Sequence, residues 1–136
     1  MPDAELTRQI HDAMPLCATL GIDVDECNAE RVVMGVEFDP KLCTSGGLLH
    51  GGLVMAMADA AGAACAALHL PEGAAGHTTI ESKTNFVGGV REGRVVATST
   101  VLHKGSTMVV VETEVRRADR RLVAKVTQTQ LVLRAR

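Results

Sequence analysis

Between Lys41 and Glu72 the chain carries one formal charge, Asp59. The stretch contains His50-Gly51-Gly52 and then runs through small apolar residues to Leu70. From about Gly51 to His69 it predicts a helix that is apolar all round, stopped by Pro71 and Gly73. A helix of that kind has no face to give to water, so the rest of the chain must be wrapped around it. Its one carboxylate is the anomaly, because burying an unpaired carboxylate costs several kcal/mol. The segment is long enough to consider as a membrane span. Its Ala/Gly-rich composition, the internal Asp59 and the absence of Lys, Arg or aromatic flanks exclude that reading.

The remaining pattern supplies the wrapping. Residues 3–14 carry apolar positions at Leu6, Ile10, Ala13 and Met14, a helical spacing. Leu20–Cys27 and Arg31–Phe38 read as two short strands around a turn at Asn28-Ala29. Asp39 to Leu49 is loop chemistry. After the helix come four strand-like runs, His77–Val87, Arg94–His103, Thr107–Arg116 and Arg121–Leu133, whose short breaks predict antiparallel hairpins. Glu112, Glu114 and Arg116 stand in opposite phase to Val111, Thr113 and Val115, as expected of a half-buried strand. The expected class is α+β, one domain over residues 1–136: a long central helix against a mostly antiparallel sheet of about six strands. The helix surface that one sheet leaves bare calls for a second subunit.

Composition narrows the function. Aromatics are 1% of the 136 residues, so the core is aliphatic. A net charge of −2 gives no electrostatic reason to expect nucleic acid or an anionic membrane as partner. The four cysteines show neither Cys-x-x-Cys spacing nor a zinc pattern, so no metal is expected. The polar N-terminus lacks an apolar signal core, and a cytoplasmic protein with reduced thiols is the expectation.

His50-Gly51-Gly52, with an acid nine positions after the histidine in an Ala-rich helix between strands, resembles the hotdog-fold thioesterases, in particular their PaaI-like acyl-CoA branch. The resemblance covers nearly the whole chain. It implies hydrolysis of acyl-CoA thioesters by a dimer or dimer of dimers, with no cofactor beyond the coenzyme A of the substrate. Asp59 matches the family's catalytic carboxylate, as nucleophile or general base. Gly51 matches the residue whose N–H polarises the thioester carbonyl, and His50 the histidine beside it. Thr44 stands six before the histidine, where Asn or Gln is frequent. Ala63 stands four after the acid, where some members have a hydroxyl. Thr79 corresponds to a water-positioning Ser or Thr. Gly52 and Phe86 complete the implied substrate contacts, and Gly89 occupies a place where proline is common. The resemblance also implies coenzyme A contacts at His103, Lys104, Gly105, Ser106 and Arg91, and Arg94 flanks the same turn as Arg91.

The residues independently support this chemistry. Thioester hydrolysis needs N–H donors aimed at a developing oxyanion and a base or nucleophile near the carbonyl carbon. The first N–H groups of a helix lack partners and sit at its positive end, and glycine lets a substrate approach them closely. Eight residues separate Gly51 from Asp59, roughly 12 Å along the axis at about 1.5 Å per residue. One carbonyl cannot touch both, so a working site requires Gly51 and Asp59 from different subunits of a twofold dimer. Asp59 shares a helix face with Gly52 and Met55, flanked by Ala56 and Ala63.

Other residues have simpler readings. Cys43 and Cys65 are expected to be buried small hydrophobes, Met55, Met57 and Met108 core filler, and His11 a surface residue. His69 suits the negative end of the helix. Two other functions suit the same fold: a non-catalytic acyl-CoA binding or sensor module, and an enoyl-CoA hydratase or dehydratase using His50 and Asp59.

Overall fold

Asp3 begins the fold by capping helix α1 (Ala4–Ala13), its carboxylate accepting the Leu6 N–H at 2.9 Å. The computed structural model describes residues 1–136. A second helix, α2 (Pro15–Leu20), follows directly and overrides the strand expected from Leu20. Pro15 suits a first helical position, and Gly21, at φ 72°, ends the helix in the left-handed conformation. Strand β1 therefore spans only Asp23–Cys27. It turns at Asn28, whose side chain accepts from the Glu30 and Arg31 N–H groups, into β2 (Val32–Glu37). Two short 3-10 turns, Pro40–Leu42 and Ser45–Gly47, lead to the central helix α3 (Gly51–Ala67). Strands β3 (Ala74–Phe86), β4 (Arg94–Lys104), β5 (Met108–Arg116) and β6 (Leu122–Arg134) complete the chain.

All six strands form one antiparallel sheet in the order β1-β2-β4-β5-β6-β3. It curls around α3, and the core is aliphatic: Val32, Val36, Val95, Val109, Val111, Val115 and Val126 beneath Leu53, Met57, Ala61 and Cys65. On β5 the expected alternation holds, with Val111, Thr113 and Val115 buried between half-buried Glu112 and Glu114.

The break between β3 and β4 is not a hairpin. β3 lies at the sheet edge paired with β6, and β4 lies between β2 and β5. Residues 87–93 therefore cross over the end of the β5–β6 hairpin, tied there by the Val87 and Gly88 N–H groups to Val123 O. At about 4.8 Å per strand this traverse is roughly 14 Å, within reach of seven residues. Loop length alone does not distinguish it from a hairpin.

The two sheet edges differ. Along β1, Asp3 N donates to Val24 O, Val24 N donates to Thr7 Oγ1, and His11 Nε2 donates to Ile22 O at 2.6 Å. Helix α1 thus occupies that edge, and His11 is half-buried in the joint rather than free at the surface. No such cover lies on β3, whose exposed residues include Ile80 and Phe86. Uncovered edges are where a further strand can pair.

Arg94 is likewise committed. Its guanidinium binds Asp23 and Asp25 across three strands, in space that Gly35 leaves by having no side chain. It is an internal tie of the sheet rather than a free phosphate ligand. No helix is long and apolar enough to cross a membrane.

Candidate active site

The glycine loop delivers His50 as the N-cap of α3. Its ψ of 131° is extended, and its Nδ1 accepts the Gly52 N–H at 2.8 Å. The histidine proton therefore sits on Nε2. Leu53 N and Val54 N both bond to His50 O, while the Gly51 N–H has no acceptor. Of the two adjacent glycines, Gly51 alone keeps a free donor at the positive end of the helix. A side chain there would stand 3.3 Å from the Phe86 ring, so Phe86 and Gly51 form one wall. Beside His50 and Gly52 is a cavity of about 320 Å³, lined by Leu20, Leu42, Cys43 and Leu53. Thr44 bonds Leu48 O through its backbone N–H, and Arg91 donates to Gly46 O at 2.8 Å, so both shape the loop ahead of His50.

Asp59 is not buried within the chain. Gly52, Met55 and Asp59 are the exposed stripe of an otherwise buried helix, with Ala56 and Ala63 half-buried along it. The spacing correctly put these residues on one face, but that face is open in a single subunit. The carboxylate is instead held by hydrogen bonding. Gln128, 1% exposed, donates its Nε2 to Asp59 Oδ1 at 2.5 Å and to Thr79 Oγ1 at 3.2 Å. Gln130 Nε2 donates to the same hydroxyl at 2.7 Å, and Gln130 Oε1 is 2.9 Å from His77 Nδ1.

Thr79 is thus joined to Asp59 through an amide that the sequence reading missed. A signal was available: Val126, Gln128, Gln130 and Val132 share one phase of β6, so two amides occupy core-facing positions of a strand. The Gln128 amide needs Gly62 beneath it, because a Cβ on Gly62 would overlap Oε1 and approach Val111 Cγ2 to 3.2 Å. Gly62→Val is therefore expected to destabilise the protein by about 2 kcal/mol or more through overpacking, measurable by denaturant unfolding.

The other candidate residues separate into two groups. Arg91 lies at the Gly51 end of α3. His103, Lys104, Gly105 and Ser106 form the β4–β5 turn at the opposite end, where Arg134 ties Ser106 O to Glu72 O. His69 Nδ1 bonds Cys65 O at 2.9 Å and serves the helix end as expected. Cys65 is fully buried, and burial pushes its thiol up to about 11. Cys43 is only half-buried, its thiol directed to Asp39 O. Met57 is core, whereas Met55 and Met108 are exposed. In the helix this follows from the open stripe, and in β5 from the strand face turned away from α3. A further cavity, about 650 Å³, lies between Leu48, Gly89 and Arg117, and Asp59 does not line it.

A long glycine-opened helix wrapped by a six-stranded antiparallel sheet, with one acid on its open stripe, defines the hotdog class. The model of the thioesterase superfamily matches residues 46–124, and the chain belongs to that superfamily. It is 36% identical over 117 residues to the candidate esterase SSO2140 of Saccharolobus solfataricus, covering 85% of this chain and 82% of that protein. A thioesterase family protein from Silicibacter pomeroyi superposes with a TM-score of 0.83 at 29% identity, over 97% of this chain and 98% of that one. The PaaI protein of E. coli, from the phenylacetic acid degradation operon, shares the fold with a TM-score of 0.84 at 18% identity, over 95% and 91%.

Proposed function

We propose that this chain hydrolyses an acyl- or aryl-CoA thioester to the free acid and coenzyme A, at sites shared between two subunits. The observation that carries the reading is the pairing of a free Gly51 N–H at the helix N-terminus with a hydrogen-bonded, open Asp59 on the same helix. The thioester oxygen accepts from Gly51 as negative charge develops on it. Asp59 either takes a proton from the attacking water or itself attacks the carbonyl carbon. The C–S bond then breaks, and the coenzyme A thiolate leaves and takes up a proton. On the general-base route this releases the free acid directly. On the nucleophile route water then hydrolyses the acyl–Asp59 anhydride, releasing the free acid and restoring the carboxylate. No resident cofactor enters these steps.

Several features support a dimer. The uncovered β3 edge offers a strand-pairing site beside the open stripe of α3. Met55, 41% exposed, is midway in number between Gly51 and Asp59. A twofold axis passing beside Met55 sets antiparallel helices so that Gly51 faces the partner's Asp59. The same operation brings Arg91 of one subunit to the end of the site where the β4–β5 turn of the other stands. That gathers coenzyme A contacts which a single chain keeps apart.

The test is an acyl-CoA panel spanning aryl, phenylacetyl and medium-chain thioesters, followed by thiol release with a chromogenic disulfide. Release from at least one class is the expected result. Tight binding of acyl-CoA without release would make the chain a binding module, and water addition to an enoyl-CoA would make it a hydratase.

A further inference from the structure

We propose that Gln128, supported by Gln130, is a positioning residue that fixes Asp59 and Thr79 as an acceptor and donor pair facing the substrate. The inference rests on Asp59 being the acid that works on the thioester. It follows from the polarity of each hydrogen bond. An amide oxygen only accepts, so His77 must carry a proton on Nδ1 to bond Gln130 Oε1. That leaves Gln130 Nε2 to donate to Thr79 Oγ1. The Asp59 carboxylate only accepts, so Gln128 presents its NH₂ group to Oδ1, and the same nitrogen reaches Thr79. Thr79 Oγ1 then receives two N–H bonds, which fill both lone pairs of a hydroxyl. Its own proton is left to point outward, beside an Asp59 whose Oδ2 is free.

A purely structural glutamine would be satisfied at both ends. Gln128 is fully buried, yet its Oε1 has no hydrogen-bond partner and lies against Gly62. Leaving a buried carbonyl unpaired is destabilising, and an apolar side chain of the same size would remove that cost. What the glutamine alone supplies is the donor on Asp59 and Thr79.

Two variants test this, each read for kcat, KM, thermal midpoint and oligomeric mass. Gln128→Met keeps the volume and removes the donor. It is expected to lower kcat about 10- to 100-fold with KM within about twofold and the thermal midpoint unchanged or raised. Gln128→Glu keeps the shape but donates to Asp59 only when its own carboxyl is protonated, so the two acids share one proton and the activity profile moves toward acid. Asp59 is linked to the Thr79 hydroxyl through Gln128 Nε2, and its charge also reaches the buried Cys17 thiol, which burial and, to a lesser extent, Asp59 push up; His77 is connected through Gln130 and Thr79.

Native kcat in Gln128→Met, or an unshifted profile in Gln128→Glu, overturns the proposal. If Gln128→Met fails to fold, the Gln128→Glu profile decides. Asp59→Asn is assayed in parallel. If it is inactive while Gln128→Met is native, this proposal alone fails. If Asp59→Asn is active, the reading of Asp59 fails first.

Discussion

Asp59→Asn is expected to lower kcat by about 10²–10⁴-fold, the range typical of losing a positioned base. KM, thermal midpoint and assembled mass should stay near native. The reason for choosing Asn is geometric. Its amide oxygen can still accept from Gln128 Nε2, so the contact made by Asp59 at 2.5 Å survives in neutral form. Asp59→Ala would strand that donor and confuse a chemical loss with a structural one. Because Asp59 lies on an exposed stripe in the single chain, removing its charge unburies nothing and fills nothing. Thiol release at the native rate by Asp59→Asn would show that the carboxylate takes no part in the chemistry.

The second large effect concerns assembly. Asp59→Asn and Gly51→Pro subunits are each expected to be inactive alone, and a fully exchanged equal mixture to recover about one quarter of native activity. Half of the exchanged dimers are hybrids, and each hybrid has one site built from an intact Gly51 and an intact Asp59. Gly51→Pro is a clean way to delete one N–H. Position 51 is the first of the helix, where proline is tolerated, and His50 already has the extended ψ of 131° that a residue before proline prefers. The added carbons meet the Phe86 ring at 3.3 Å, a contact the ring can relieve by moving a few tenths of an ångström. If hybrids confirmed by mass remain inactive, the site is not shared between subunits.

Much of the fold was legible in the residues. The central helix, the four strands after it and the alternation on β5 follow from periodicities that reflect which side chains must leave water. The errors have local causes. α2 was masked because Pro15 starts and Gly21 ends a helix too short to show a period. A seven-residue break between β3 and β4 is compatible with either a hairpin or a crossover, and only the strand order separates the two. His11 joins α1 to the chain entering β1, a contact that no pattern within α1 announces.

The site divides the same way. Residue type and spacing alone determined that Gly51 opens the helix, that Asp59 is its only charge, and that about 12 Å of helix keeps them apart. Helix rise is a local property, so sequence separation converts directly into distance. The tertiary structure decided what surrounds them. It left the Gly51 N–H free by giving the Gly52 N–H to His50, left the stripe bearing Asp59 open in the single chain, and brought Gln128 and Gln130 from the last strand to Asp59 and Thr79. Those contacts join residues 69 and 51 positions apart in the chain. They depend on β3 pairing with β6 at the sheet edge, a consequence of strand order that local sequence pattern does not encode.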